Sequence, residues 1–256
     1  MQLNPSLIKI ARVRNQHYFS EKRFDIESFP VDLFIQPEKV AAVKIANILS
    51  LPEVYDYIEF ASGSLLMFGI KIRTSSFFVY RKVFEIHLSF PDLPIHVVAI
   101  LRKDVVLIVD ADTELLPGDI VYITTLPDRA AEVIGVFKEN PEPRTKIMVM
   151  GGDTLSWQLT RNLLNRPGLT IKHVEENAEI CPLIEESTNQ MILLEGKGTD
   201  QVFLASENIH DVDAFVAASP NEEDNILAAL LAKKLGAKMV LARVNKKHYF
   251  PIANAV

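Results

Sequence analysis

The chain has 256 residues, 48% of them hydrophobic, enough to bury sizeable cores in about two domains at roughly 150 residues per domain. Its 27 Lys and Arg against 33 Asp and Glu give a formal charge of -6, which excludes a general basic field for nucleic acid or anionic lipid. Every apolar run breaks before the ~18 residues needed to span a bilayer, the single Cys181 excludes an internal disulfide, and the first residues lack a secretory signal pattern, so the expectation is a cytosolic protein.

In chain order, residues 7–13 form an apolar, strand-like run leading into Ala11-Arg12-Val13-Arg14-Asn15-Gln16-His17-Tyr18-Phe19. Residues 238–244 lead in the same way into Ala242-Arg243-Val244-Asn245-Lys246-Lys247-His248-Tyr249-Phe250, identical at Ala-Arg-Val and His-Tyr-Phe, with an offset of 242 − 11 = 231 residues. The simplest explanation is a chain that starts near the end of one copy of a unit and stops near the same point of the next. Pro37 opens a helix over 37–50, with Glu38 behind it and Val40, Val43, Ile45 and Ile48 at roughly helical spacing. Strand-like runs follow at 65–72, 95–101, 105–109 and 120–124, with Leu116-Pro117-Gly118-Asp119 as the turn between the last two. Helix-compatible stretches at 80–88 and 128–137 complete a small α+β domain. Lys138-Glu139-Asn140-Pro141-Glu142-Pro143-Arg144, charged and with two prolines, continues neither a helix nor a central strand and marks a domain boundary.

Beyond it the pattern alternates: strand 146–150, helix 155–164, a turn at Arg166-Pro167-Gly168, strand 169–174, helix 178–187, strand 191–194, strand 213–218, helix 222–235 and strand 238–244. Strands apolar on both faces and separated by helices predict an α/β fold with a doubly wound, Rossmann-like parallel sheet and right-handed crossovers. Its ligand is expected at the carboxyl ends of the strands, where the strand order reverses.

Met150-Gly151-Gly152-Asp153-Thr154-Leu155-Ser156 joins the first of these strands to the first helix. A dinucleotide fingerprint needs glycines for the tight turn, for close approach to pyrophosphate and for helix-to-strand packing; here Gly151 stands at the first position, but Asp153 and Ser156 occupy the other two. Asp153 has two readings: a carboxylate that repels a pyrophosphate, and an N-cap in a loop that has lost its ligand. Glu175 closes the second strand 175 − 151 = 24 residues beyond Gly151, near the spacing of an acid that takes ribose hydroxyls, and its charge would oppose a 2′-phosphate. The third strand runs into Glu195-Gly196-Lys197-Gly198-Thr199-Asp200, whose glycines allow close approach to a ligand. Lys197 either meets a phosphate or pairs with Asp153 or Glu175 and fills the pocket. The candidate ligand contacts are therefore Gly151, Gly152, Asp153, Thr154, Leu155, Glu175, Lys197, Gly198 and Thr199. The remaining groups read as structural. His87, His96, His173 and His210 lack ligand spacing, so no metal site is expected. Cys181 beside Pro182 packs within a helix, His17 and His248 recur at a strand end, and Asn221-Glu222-Glu223-Asp224-Asn225 suits a helix dipole. No catalytic residue is predicted.

Several segments carry a resemblance over nearly the whole chain: Phe34-Ile35-Gln36-Pro37-Glu38-Lys39-Val40-Ala41-Ala42, Val98-Ala99-Ile100-Leu101-Arg102, Leu116-Pro117-Gly118-Asp119, Gly151-Gly152, Gly198-Thr199-Asp200, Glu207-Asn208-Ile209 and, most specific, Asn225-Ile226-Leu227-Ala228-Ala229-Leu230-Leu231-Ala232-Lys233-Lys234-Leu235-Gly236-Ala237. With them the sequence resembles the TrkA family, built from RCK (regulator of potassium conductance) domains in two tandem copies of a Rossmann lobe and a small lobe. The resemblance implies that residues 1–30 are the tail of a preceding Rossmann lobe and a crossover segment, 31–138 an RCK_C-type small α+β lobe and 144–256 an RCK_N-type Rossmann-like domain. It further implies a non-enzymatic regulatory subunit, cytoplasmic and peripheral to the inner face of the membrane. Such a subunit is a homo-oligomer docked on a Trk-type membrane potassium transporter, and a nucleotide ligand shifts its shape and gates potassium uptake. The family's nucleotide loop falls by position on Gly151 to Ser156, its ribose acid on Glu175, and its third-strand Gly-Asp on Gly196 and Lys197. Asp153 and Ser156 in place of glycines, and Lys197 in place of an acid, predict weak or lost binding of NAD or NADH, with ATP or ADP as the alternative. A reading from another class, an NAD-dependent oxidoreductase, would need a substrate-handling base that the small lobe does not obviously offer.

Overall fold

A computed structural model describes residues 7–13, 31–137, 143–179, 181 and 190–249. The chain divides into two compact units, Met1–Ala46 with Thr145–Val256, and Asn47–Arg144. Among the described residues no helix is long and apolar enough to cross a membrane. The chain enters through β1 (Ile10–Arg12) and β2 (Leu33–Ile35), which pair in parallel with Ala11 opposite Phe34. Helix α1 (Pro37–Ser50) follows. Proline suits its first turn, where an amide N–H would lack a helical partner, and Glu38 there complements the helix dipole.

The unit Asn47–Arg144 holds β3 (Val54–Phe60), β4 (Leu65–Lys71), α2 (Val83–Ser89), β5 (His96–Arg102), β6 (Val105–Ile108), β7 (Ile120–Thr125) and α3 (Ala130–Phe137). Its sheet is antiparallel in the order β3-β4-β7-β5-β6. One face supplies Phe68, Ile100, Val121 and Ile123 to a core closed by Phe78, Ile86, Val133, Ile134 and Phe137, all fully buried. Each such side chain contributes about 1.5–3 kcal/mol by leaving water, and the ring of Phe78 lies 5.2 Å from that of Phe137. The turn before β7 is held electrostatically. Arg102 forks onto buried Asp119, Nε to Oδ1 at 2.8 Å and Nη2 to Oδ2 at 2.7 Å, while the Leu116 amide donates to the same carboxylate. Gly118 in this turn has φ +92°, a conformation that favours glycine.

The other unit carries β8 (Lys146–Met150), α4 (Thr154–Leu164), β9 (Thr170–Glu175), β10 (Ile192–Glu195), α5 (Gln201–Ser206), β11 (Ala214–Ala217), α6 (Glu222–Lys234) and β12 (Val240–Ala242). All five strands are parallel in the order β10-β9-β8-β11-β12. This is the Rossmann-like arrangement expected from strands apolar on both faces: Ala214, Phe215, Val216 and Ala217 are all buried. Met148, Met150, Val174 and Phe215 meet Leu204, Ile209, Ala228 and Ala232 in one core, and Leu155, Leu159 and Leu163 bury the inner face of α4. The order reverses between β8 and β11, so a crevice opens at their carboxyl ends.

Three elements were not expected from sequence, the first being the short strand β2 at 33–35. Strand β3 occupies 54–60, and the short helix α5 follows the third parallel strand directly. The helix expected at 178–187 lies outside the described residues save for its first positions and Cys181, which is helical and buried. Residues 138–142 of the boundary segment, and the repeat from Arg14 to Phe19, are also outside them.

Candidate functional site

The crevice at the switch point has a volume of about 180 Å³, room for roughly a dozen water-sized spheres. Its floor is the end of β8 and the following loop, Met150, Gly151 and Gly152. One side is Val174 and Glu175 at the end of β9 and Glu176 after it, with Gly196, Gly198 and Thr199 beyond β10; the other is Ser219, Pro220 and Asn221 between β11 and α6 and Asp224 in the first turn of α6.

The loop after β8 follows its path because a side chain would not fit. Gly151 has φ +129°, and a Cβ there would lie 2.9 Å from the Ser219 backbone. A Cβ on Gly152 would overlap the Glu175 carboxylate, and one on Gly198 would overlap Met150 Sδ. The end of β8 is thereby drawn to both its neighbours: Ala218 N–H, after β11, donates to Met150 O at 2.9 Å, and Gly151 N–H donates to Val174 O of β9 at 3.0 Å. Behind the loop sits His173, fully buried, with burial pushing its pKa down to about 4 against a small upward pull from the Gly151 carbonyl. It is therefore neutral at pH 7. Because a carbonyl only accepts, Nε2–H donates to Gly151 O at 2.7 Å, which leaves Nδ1 to accept from the Thr160 hydroxyl at 2.8 Å. Strand β9, helix α4 and the loop are joined through one ring.

Asp153 is the N-cap of α4. Its Oδ1 accepts from Leu155 N at 3.1 Å and Ser156 N at 3.2 Å, and the buried Ser156 hydroxyl closes back onto Asp153 O at 2.9 Å. Its Oδ2 is engaged by Nη1 of Arg243, which follows β12. Arg243 is itself fixed by the backbone, donating its N–H to Ala217 O at 2.8 Å. Asn225, buried on α6, completes that frame: Nδ2 donates to Ser219 O at 2.9 Å and Arg243 O at 3.0 Å, and Oδ1 accepts from Ser219 N at 2.9 Å. Glu222 holds the chain beyond β12, accepting from Asn245 N and Lys246 N; chiefly the Lys246 amide keeps its pKa below the usual carboxylate range.

Glu175 is 5% exposed. Oε1 accepts from Asn177 N at 2.8 Å, but the buried Oε2 receives no hydrogen bond from any of the described residues. A buried carboxyl oxygen without a donor is an unmet demand that a donor on a ligand can satisfy.

The fold thus brings Gly151, Gly152, Glu175, Gly198 and Thr199 to the crevice. Thr154 and Leu155 start α4 and do not line it. Lys197 stands 3.8 Å from Glu176 with both side chains more than half exposed, so neither Asp153 nor Glu175 takes it as an ion-pair partner. Sequence reasoning missed Arg243, Asn225 and His173. Arg243 carried a signal nonetheless, since it sits in the Ala-Arg-Val of the repeat, whose other copy places Arg12 3.9 Å from Glu38.

The residues divide in their fit to a dinucleotide. The unpartnered oxygen of Glu175 suits ribose hydroxyls, but Asp153 Oδ1 already takes the α4 amides on which a pyrophosphate would rest, so the phosphates of NAD do not fit this lobe as it stands.

A five-stranded parallel Rossmann-like unit with a switch-point crevice, joined in one chain to a small antiparallel α+β unit, defines the RCK class of fold. The crystal structure of the GsuK RCK domain superposes with a TM-score of 0.63 at 13% identity, covering 96% of this chain and 51% of that one. A GsuK channel bound to NAD gives 0.54 at 12% identity, covering 96% and 45%. Residues 147–256 match the TrkA-N domain and residues 67–138 the TrkA-C domain, and the chain belongs to the TrkA family. It is 29% identical over 252 residues to the Trk system potassium uptake protein TrkA of Azorhizobium caulinodans, covering 97% of this chain and 55% of that protein. To the Trk system potassium uptake protein trkA homolog 1 of Methanosarcina mazei it is 31% identical over 247 residues, covering 96% and 60%. The chain therefore spans little more than half the length of these relatives.

Proposed function

We propose that the chain is a non-enzymatic regulatory module of a Trk-type potassium-uptake system, whose crevice senses a ribose-bearing ligand of the nucleotide class. The single observation that carries this reading is Glu175 Oε2, buried at the switch point with no hydrogen-bond donor among the described residues. The names of the relatives, which are Trk system potassium uptake proteins, and the NAD held by a GsuK channel of the same fold support it. In this reading residues 31–138 are the small lobe and 144–256 the Rossmann lobe, with residues 1–30 related by the repeat to the end of such a lobe. The module acts at the cytoplasmic face of the membrane, as a homo-oligomer on a potassium-transporting membrane subunit. Its ligand works by linkage: it biases the assembly only by its differential affinity for two shapes. NAD binds weakly or not at all in this lobe, and ATP or ADP is subject to the same obstacle at Asp153. Co-purification of the protein with its membrane partner, with and without adenine nucleosides and nucleotides, tests the reading. Retention on the partner that responds to one of these compounds is expected, whereas no association under any condition, or hydride transfer from NADH to a small substrate, contradicts it.

A further inference from the structure

Asn221, which caps α6, lines the crevice, and the caps of α4 and α5 each follow a lining residue, Gly152 and Thr199; all three caps belong to the chain itself. Asp153 takes Leu155 N and Ser156 N on α4, Asp200 takes Val202 N and Phe203 N on α5, and Asn221 takes Glu223 N and Asp224 N on α6. The side chains that line the opening add negative charge through Glu175, Glu176 and Asp224. Among the described residues the two nearby cations are already engaged, Arg243 by Asp153 and, more loosely, Lys197 by Glu176.

We infer that Asp153 is a built-in anion occupying the phosphate seat, so that the crevice selects an unphosphorylated nucleoside over its mono-, di- and dinucleotide forms. The inference rests on the reading above, in which Glu175 holds the ribose. For a ligand phosphate to reach the α4 amides, Asp153 must release two backbone hydrogen bonds and Arg243. The phosphate then makes the same bonds, so one anion replaces another without net gain. The displaced carboxylate remains beside it, together with the three lining acids, and repels it in a partly dry setting. A nucleoside meets none of this opposition. Its ribose hydroxyls donate to the unpartnered Oε2 of Glu175, and Met150, Val174 and Pro220 offer apolar surface for its base. The glycines at 151, 152, 196 and 198 keep the walls close without filling the space.

The test is calorimetric titration of the full chain with adenosine, AMP, ADP and NAD, repeated on Asp153→Asn and Glu175→Gln, with the fluorescence of Trp157 confirming that each variant is folded. Adenosine is expected to bind the unaltered chain about tenfold or more tightly than ADP or NAD. Asn is as good an N-cap as Asp, so Asp153→Asn keeps α4 and frees Arg243. It should raise AMP and ADP affinity about tenfold and leave adenosine within about twofold, while Glu175→Gln should weaken adenosine about tenfold. If ADP or NAD binds the unaltered chain as tightly as adenosine and Glu175→Gln weakens both, the ribose reading stands and the selectivity inference is overturned. Unchanged phosphate affinities in Asp153→Asn overturn it as well. If none of the four compounds binds either the unaltered chain or Asp153→Asn, the ribose reading fails and the inference falls with it.

Discussion

Lowering the pH from 7 to 5 should weaken the Rossmann-like unit through one residue, His173. Its folded pKa of about 4 lies below the ordinary 6.5 because burial disfavours the imidazolium. Between these values the unfolded chain binds a proton that the folded chain does not, so stability rises with pH across the window and is lost as pH falls. The full shift is worth about 3 kcal/mol, and the part exercised between pH 7 and pH 5 about 2 kcal/mol. The carboxylates with lowered pKa, Asp213 at about 2 among them, titrate below this window and do not obscure it. Trp157, the only tryptophan in the sequence, stands edge-on to His173 with ring centroids 6.3 Å apart, so its fluorescence reports unfolding of this unit. Urea titrations at the two pH values, on the unaltered chain and on His173→Gln, should show the loss in the first and not in the second. An equal loss in both, or none in either, refutes the assignment of a neutral, buried imidazole behind the loop.

Three further substitutions probe the frame. Gly151→Ala should destabilise the same unit by about 2 kcal/mol or more, because φ +129° is strained for a side chain and the Ser219 backbone stands 2.9 Å from the new Cβ; the Trp157 urea midpoint reads it. Asn225→Ala removes one side chain that satisfies three backbone groups and should cost about 2–3 kcal/mol by the same assay. In the other unit, Arg102→Ala leaves Asp119 buried without its guanidinium and should cost about 2–3 kcal/mol, read by circular dichroism, with Asp119→Asn partly restoring the loss.

What could be read in the sequence follows how locally each feature is specified. The parallel sheet was legible because its strands are apolar on both faces and its turns carry glycine and proline; the β8 and β11 runs needed no partner to be recognised. Gly151 and Glu175 were found by their spacing, which the right order of strands converts into proximity. Strand β3 was not read: its sequence Val-Tyr-Asp-Tyr-Ile-Glu-Phe has mixed polarity and an exposed C-terminal end, and it becomes a strand by pairing with β4. Helix α5 spans only Gln201–Ser206, too short for its period to register. The partner of Asp153 was beyond local reading altogether. Lys197 was the nearer candidate along the chain, but Arg243, 90 residues away, is the one delivered, because β12 packs beside β11 on the far side of the switch point. His173 was weighed against metal-ligand spacing, while its work is to bind a carbonyl 22 residues away and a hydroxyl 13 away.

In the proposed reading the carboxylate of Glu175 receives the ligand, and a crystal structure of the chain grown with adenosine addresses this most directly. The predicted result is a ribose hydroxyl within hydrogen-bond distance of Glu175 Oε2, with Asp153 still on the amides of Leu155 and Ser156. Adenosine bound away from the switch point, or a nucleotide phosphate resting on those amides with Asp153 turned out of the loop, would contradict it.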